Sequence, residues 1–258
     1  MNLNEKKELK DMRSYSVVKG NELVQKNRFE LSLTEQKTVA FICSMIKPPE
    51  NGSPFQLEYD FNIRDYCKVC GIDYDNGNNY ANIKATLKHL RDRSMWLTMP
   101  DGSESLCGWL AKVNTNKKSG IVKIKIDEDL APYLFALGQR FTQYQLSNIL
   151  AMKSAFSVRM YELMKSYAFQ KSKTFEVDEL KRLLMVDGVK SYKNFNLFKT
   201  YVLDKALEEI NELTDINVKL EPITKGKKVV QIRFTIEPKT PLDSLIAHAT
   251  TIERLDSN

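Results

Sequence analysis

The chain has 258 residues, of which 42% are hydrophobic and 28% charged, a composition typical of a soluble folded protein and not of a disordered one. Its formal net charge of +6 favours a polyanionic partner without identifying it. No stretch reaches the ~20 consecutive apolar residues that a membrane helix needs, and the charged N-terminus lacks the apolar core of a signal peptide. We therefore expect a cytoplasmic protein without membrane contact. The four cysteines are too few for a disulfide framework.

The first elements are a lead-in and a helix. Residues 1–14 are charged with little periodicity and are interpreted as a flexible lead-in. Either Ser32 or Thr34 is placed to cap a helix, which Pro48 and Pro49 would end.

A short strand, two helices and a wing are predicted next. The strand is predicted over 55–59, and the helices over 61–69, ending at Gly71, and over 79–93. The polar stretch 73–78 between the helices reads as the turn. Strands are expected around 94–99, 106–113 and 121–126, with a turn at 100–102.

The same order is predicted again in the second half. A helix near 127–137 and the segment 138–144 join the two halves. Helices are then predicted over 154–169, 178–186 and 192–213, and a hairpin follows that turns at 224–228. After Pro238 the tail is predicted to form a short helix.

This repeat predicts the fold. A short helix, a turn, a longer helix and a hairpin form the order of a winged helix. The expected fold class is α+β, with two tandem winged-helix domains related by a pseudo-two-fold repeat. The predicted divisions are a lead-in over 1–14, an N-terminal domain over 15–138, a C-terminal domain over 139–240 and a tail over 241–258.

The residues give little support to catalysis. His89 and His248 are far apart, so the His-x-His metal pair of nicking endonucleases is missing. No phosphate-binding loop and no Gly-x-Ser-x-Gly elbow are present. Cys67-x-x-Cys70 lacks two further zinc ligands and is interpreted as two small helix residues, at least one of them buried. We expect no enzymatic activity, no metal and no cofactor.

Basic and amide side chains lie where a winged helix contacts DNA. Any single lysine is more often a solvated surface residue, but the set occupies the second helix and the wing tip. The candidate DNA-binding residues of the second half are Lys193, Asn194, Asn196, Lys199, Thr200, Lys225, Lys227 and Lys228. Those of the first half are Lys84, Lys88 and Arg91.

Three segments carry a resemblance to a known family. They are Val17–Leu23 with Leu31–Lys37, Gln139–Tyr144 with Ser154–Tyr167, and Phe198–Asn211 with Thr214–Ile216. In this order they resemble the iteron-type plasmid replication initiators over residues 17 to about 236. One departure is that Lys199 is followed by Thr200 and Tyr201, where the family often has basic residues, so base identity is not carried over.

The resemblance implies a function with several parts. It implies binding to repeated origin sequences called iterons, melting of adjacent AT-rich DNA, and recruitment of the host initiator ATPase and replicative helicase. It also implies a homodimer in equilibrium with the monomer, with the dimer repressing its own gene at an inverted-repeat operator. The N-terminal domain would supply dimer and DNA-backbone contacts, and the C-terminal domain the main base readout. The alternative is a winged-helix transcriptional regulator without origin activity.

Two expectations concern single residues. Arg159 is expected to pair with Glu162, which lies one helical turn away. Lys199→Ala is expected to weaken sequence-specific binding more than Lys227→Ala, which should lower affinity for all sequences alike.

Overall fold

Two helix-and-strand units follow each other along the chain, the first within residues 3–145 and the second within residues 172–238. One central helix, over residues 155–167, packs against elements of both. The computed structural model describes residues 3–47, 54–72, 79–99, 101–135 and 140–257. Among these residues, no helix combines the length and the apolar character that crossing a membrane requires.

The helices alternate with short strands in the first unit and precede a long hairpin in the second. The α-helices are α1 (Leu3–Arg13), α2 (Asn21–Gln25), α3 (Leu33–Met45), α4 (Ile63–Cys70), α5 (Asn79–Asp92), α6 (Ala131–Leu134), α7 (Ser147–Leu150), α8 (Ala155–Tyr167), α9 (Val177–Leu183), α10 (Phe195–Phe198), α11 (Lys205–Leu213) and α12 (Pro241–Asp256). Two 3₁₀ segments cover Ala168–Gln170 and Lys190–Lys193, and a π-helical segment covers Lys199–Asp204.

The strands of the described residues form four antiparallel sheets. The strands are β1 (Ser16–Gly20), β2 (Glu58–Asn62), β3 (Ser94–Thr98), β4 (Glu104–Gly108), β5 (Leu110–Asn116), β6 (Ile121–Ile126), β7 (Phe141–Gln145), β8 (Ser172–Glu176), β9 (Ile216–Lys225) and β10 (Lys228–Pro238). Their spatial orders are β1–β7, β2–β6–β5, β3–β4 and β8–β10–β9.

Capping residues set several helix ends where the sequence predicts them. The Ser32 hydroxyl accepts from the Glu35 amide, and the Glu35 carboxylate accepts from the Ser32 amide, which forms a capping box at α3. Gly71 ends α4 with φ 67°, a left-handed conformation that glycine adopts without strain. Ser32 and Gly71 thus act as predicted.

Several predicted boundaries in the first unit are wrong. The helix predicted over 61–69 begins at Ile63, because Phe61 and Asn62 pair with β6 as the end of β2. The strand predicted over 106–113 is divided at Trp109 into β4 and β5, which join different sheets.

The junction of the two halves also differs from the prediction. The helix predicted near 127–137 is a turn followed by the single-turn α6. Predictions that fall on 48–53, 73–78, 100 and 136–139 lie outside the described residues.

The long helix predicted over 192–213 is interrupted. A 3₁₀ segment leads into α10, the π-helical segment follows, and α11 completes the run. The apolar spacing of this segment predicts an inner stripe of Phe195, Phe198, Val202, Ala206 and Ile210. All of these are buried except Phe195, which is partly buried. We call residues 195–213 the recognition helix.

The buried centre of the molecule is organised around α8. Glu162 Oε1 accepts from Lys19 Nζ at 2.6 Å and from the Tyr144 hydroxyl at 2.5 Å, which connects α8 to β1 and β7. The expected pair of Arg159 with Glu162 is wrong: Arg159 Nη2 donates to the Asn27 carbonyl at 2.9 Å, and its guanidinium lies 4.4 Å from the Phe29 ring centroid. Glu162 is oriented toward β1 because the buried Lys19 ammonium needs a counter-charge.

Strand pairing crosses the predicted domain boundary. Strand β7 pairs with β1 over its whole length, so residues just after 138 add to a sheet of the first unit. The division at 138 and 139 stays a prediction.

Helix α12 is longer than the short helix predicted for the tail, and it touches both units. The Thr251 hydroxyl donates to the Leu213 carbonyl at 3.2 Å, and Arg254 pairs with Glu212. On the other side, Arg13 Nη1 contacts Asp256 Oδ1 at 2.9 Å. The tail is therefore a joint between the end of the recognition helix and the first unit.

Candidate nucleic-acid interface

A concave surface in the second unit brings the recognition helix and the wing together. It encloses about 1070 Å³ between α9, the start of the recognition helix and the tip of the β9–β10 hairpin. Of the predicted residues it unites Lys193, Asn194, Asn196, Lys227 and Lys228. We call this surface the main groove. Lys199, Thr200 and Lys225 do not line it.

Asn194 begins the recognition helix. Its side-chain oxygen accepts from the Asn196 amide at 2.9 Å, the N-cap bond that a short polar residue supplies at this position. The Asn194 oxygen is thus engaged locally, whereas the Asn196 side chain is exposed.

Lys199 lies outside the main groove and pairs with Asp204 across the π-helical turn. A π turn brings residues i and i+5 onto the same side, and Lys199 Nζ lies 2.7 Å and 2.8 Å from the two carboxylate oxygens of Asp204. Both side chains are partly exposed, so this pair orients Lys199 more than it stabilises the fold. Thr200 and Tyr201 remain exposed beside it.

The wing tip carries three lysines at a tight turn. Lys225 and Lys228 are directly paired across the hairpin, and Gly226 between them has φ 64°. A two-residue turn with positive φ favours glycine. Three exposed lysines, including Lys227, therefore extend from a short turn.

Two basic residues near α9 were not predicted from the sequence. Arg182 is exposed at the rim of the main groove. Lys181 is buried with its ammonium 5.4 Å from the Phe198 ring centroid. Both lie on α9, which is the first helix of the helix-turn-helix arrangement in the second unit. Because that helix crosses the DNA backbone in related motifs, their position on it could have identified them as candidates.

Two of the three acidic residues that line the main groove have side-chain partners, and the third, Asp178, is exposed. Glu176 accepts from Gln231 Nε2 at 2.6 Å, and Asp187 contacts Arg28 of the first unit at 3.2 Å. These contacts reduce the repulsion that a phosphate would meet at the groove.

The first unit has a smaller basic surface. A depression of about 340 Å³ between α5 and β5 is lined by Lys84, Lys88 and Arg91, together with Lys112, which was not predicted. Lys88 contacts Asp92 at 2.7 Å and Arg91 contacts it at 3.2 Å. Hydrogen bonds from Lys88 and Arg91 lower the pKa of Asp92, so its charge is present at neutral pH and offsets part of this surface.

The cysteine pair of α4 lies in the core. Cys67 and Cys70 are both buried, as the interpretation of them as small helix residues requires. Burial raises the pKa of Cys70 to about 12, whereas a zinc ligand must be a thiolate. Within the described ranges, no three His, Cys, Asp or Glu side chains converge as a metal site would require.

Comparison with protein-family models shows to which family the chain belongs. The model described as "Initiator Replication protein, WH1" matches residues 16–165, and the model described as "Initiator Rep protein, WH2" matches residues 176–236. The chain belongs to the initiator replication protein family. The two matched regions are its winged-helix domains, which confirms the predicted fold class.

Comparison with solved structures agrees on the fold. The chain is similar to the crystal structure of the Pi initiator protein in complex with iteron DNA, with a TM-score of 0.68 and 22% identity over 88% of this chain and 98% of that chain. Domains 2 and 3 of RctB match with a TM-score of 0.43 and 12% identity over 80% of this chain and 79% of that chain. The comparison with curated proteins gives no significant match.

The matched regions coincide with the two basic surfaces of the chain. The WH2 region contains the recognition helix and the β9–β10 wing, and the WH1 region contains α5 with its basic depression. Helix α8 falls in the WH1 region except for its last two residues, and α12 lies outside both regions.

Proposed function

We propose that this protein is a plasmid replication initiator that binds iterons in double-stranded DNA. The observation that carries the proposal is the main groove, in which the start of a recognition helix and a lysine-rich wing tip lie on one surface of an initiator-family chain. The similarity to the Pi initiator protein, whose structure contains iteron DNA, supports the same assignment.

The recognition helix would enter the major groove. Exposed Asn196 and Thr200 would face base edges there. Lys227 and Lys228 at the wing tip, with Lys193, would contact phosphates and fix the position of the domain on the duplex.

The basic depression of the first unit would contact a neighbouring stretch of backbone. Binding would consume no nucleotide, and its affinity would fall steeply with salt. A loss of roughly 10³–10⁵ between 50 and 200 mM is expected if 6–10 phosphates are contacted.

The further steps are also part of the proposal. The bound initiator would promote opening of adjacent AT-rich DNA and recruit the host initiator ATPase and replicative helicase, as the family resemblance implies. It would act as a binding protein and not as an enzyme, in the cytoplasm where its DNA lies.

Autorepression would use a homodimer. The β3–β4 hairpin offers a surface for a second copy, because Trp96 and Leu106 are directly paired on its solvent face and are 61% and 55% exposed. An exposed apolar pair of this kind is typical of an interaction site. Trp96→Lys should shift the protein toward monomer in analytical ultracentrifugation, whereas Phe169→Lys, at a residue that is 78% exposed in the 3₁₀ segment after α8, should not.

The first experiment measures binding to the DNA that flanks the gene, against random DNA of equal length, at two salt concentrations. If the flanking DNA contains iterons, the protein should prefer it over random DNA even at high salt. Several protein molecules should then bind one DNA fragment in successive steps. Equal binding to both DNAs that is lost at the higher salt concentration would contradict the proposal.

A second experiment separates an initiator from a regulator. A plasmid that carries the gene with its flanking DNA should replicate autonomously, and the same plasmid with Lys227→Ala and Lys228→Ala should not. Specific binding without replication would favour the transcriptional regulator. A covalent adduct between DNA and a tyrosine would contradict the non-enzymatic part of the proposal.

A further inference from the structure

The outward face of the recognition helix carries two large side chains with apolar surface. Leu197 is 37% exposed and Tyr201 is 54% exposed, while the opposite face is fully buried. They lie four residues apart on the solvent side. Exposed apolar residues in the first half of a DNA-facing helix leave water when the helix enters a groove, so their contacts contribute to binding.

The polar side chains nearby have limited capacity to read bases. Lys199 is bound by both oxygens of Asp204, and the Asn194 oxygen is bound at the N-cap. Asn196 and Thr200 remain as hydrogen-bonding groups on this face. The centre of the contact is therefore more apolar than a lysine-rich sequence suggests.

The Tyr201 ring has a cation beside it. Lys205 Nζ lies 5.5 Å from the ring centroid, within the range of a cation–π contact. This contact orients the ring on the outward face, and the Lys205 ammonium stays available to a phosphate. The π-helical segment containing Tyr201 thus presents a ring flanked by a positive charge.

The major groove offers one apolar group, the 5-methyl group of thymine. We propose that Leu197 and Tyr201 read thymine methyl groups, and that these contacts supply a large part of the sequence preference of the second domain. This inference rests on the proposed iteron binding and names the chemistry of the base contact.

The test replaces thymine by uracil, which lacks the methyl group and keeps the same hydrogen-bonding pattern. The DNA flanking the gene, and random DNA of equal length, are each amplified once with thymidine and once with deoxyuridine triphosphate. Loss of one buried methyl group should weaken binding about fourfold, and loss of two about fifteenfold. The wild-type protein should show this loss on the flanking DNA and little loss on random DNA.

Variants assign the effect to the two side chains. The double variant Leu197→Ala with Tyr201→Ala should bind thymine-containing flanking DNA more weakly and should change less than twofold when uracil replaces thymine. Tyr201→Phe keeps the ring and should retain the sensitivity to uracil. Leu245→Ala removes a leucine that is 66% exposed on α12 and serves as the matched control. Circular dichroism should show all four proteins folded, because the substituted side chains are substantially exposed.

Each outcome has a distinct meaning. If the wild type shows no preference for flanking DNA, both the iteron proposal and this inference are overturned. If the preference exists and uracil leaves it unchanged, this inference alone fails. An equal loss on uracil DNA in the wild type and the double variant would mean that other residues read the methyl groups, which also overturns it.

Discussion

The two basic surfaces of the molecule differ in what their helices expose. In the first unit, α5 is a regular α-helix whose outward cations Lys84, Lys88 and Arg91 lie along a shallow depression. In the second unit, the recognition helix is widened by a π turn and exposes Leu197 and Tyr201 beside its polar groups.

This difference suggests a division of work. Cations that face outward suit phosphates, which carry no sequence information. A mixed face of amides, a hydroxyl and apolar groups matches the edges of bases. We expect the first unit to supply salt-dependent affinity and the second to supply preference.

The largest expected effect concerns the helix that both units share. Glu162→Gln removes the counter-charge of Lys19, whose side chain is only 5% exposed. Leaving a buried charge unpaired should lower the free energy of unfolding by about 3–5 kcal/mol, as measured by urea denaturation. Glu221→Gln, at an exposed pair with Arg233, should cost less than about 1 kcal/mol. Similar costs for the two variants would mean that the two units do not depend on this buried pair.

A second prediction tests the first unit alone. Replacing Lys84, Lys88 and Arg91 by alanine should reduce the slope of log affinity against log salt by up to about 2.7, since each phosphate contact contributes about 0.9. The ratio of affinities for flanking and random DNA should stay constant. The control removes three exposed lysines outside both basic surfaces, Lys7, Lys26 and Lys47, and should leave the slope nearly unchanged. A fall in the ratio would show that α5 also reads bases.

A third prediction compares two lysines of the second unit. Lys227→Ala should weaken binding to all sequences alike and reduce the salt slope by about 1. Lys199→Ala should instead lower the preference for flanking DNA, by less than the about 1–3 kcal/mol of a direct base contact, because Asp204 engages the Lys199 ammonium. Both effects are measured by fluorescence anisotropy on the two DNAs.

Asp204→Asn sharpens this comparison. It releases Lys199 from its two contacts and should increase affinity for random DNA, because a freed cation attracts any phosphate. Equal loss of preference in Lys199→Ala and Lys227→Ala would contradict the assignment of separate roles.

The smallest effect concerns the joint formed by α12. Burial, with the nearby charges of Lys10 and Arg13, lowers the pKa of His248 in the folded protein. Since the folded state then binds the proton less tightly than the unfolded state, His248 contributes stability above its ordinary pKa of 6.5 that is lost as the pH falls below it. His248→Gln should remove this part of the pH dependence between 7 and 5, as measured by thermal unfolding. An unchanged pH profile would show that His248 is not responsible.

Much of this architecture was predictable, because its signals are local. The cap at Ser32, the left-handed Gly71 and the apolar stripe of α5 each follow from a few adjacent residues. The inner stripe of the recognition helix was predictable for the same reason.

The incorrect predictions concern residues whose partners are distant in the chain. Phe61 and Asn62 read as the start of a helix until β6 supplies a strand for them to pair with. Glu162 has a plausible partner one turn away, yet binds Lys19, which is 143 positions earlier. The π turn is not visible in the sequence because one widened turn leaves the apolar stripe intact.

The sequence predicted which elements form the candidate site better than it predicted the individual residues that line it. The wing tip and the start of the recognition helix come together as a winged helix requires. Lys199 was placed on the outward face, but its carboxylate partner lies at i+5, a spacing that an α-helix does not bring together. Lys112 and Arg182 were missed because each is a single basic residue whose neighbours become apparent only in the fold.

The π turn of the recognition helix has a consequence for how such a protein can change over generations. A π turn holds one residue more than the α turn that it replaces. Deleting one residue within α11 would rotate the preceding turns by ~100° and bring buried side chains to the surface. A deletion within Lys199–Asp204 can instead be absorbed by closing the turn to an α-helix. The loss of a single codon there would alter which side chains face the DNA while both flanking cores are retained. New target sequences could thus arise through a change in chain length, with every remaining residue type unchanged.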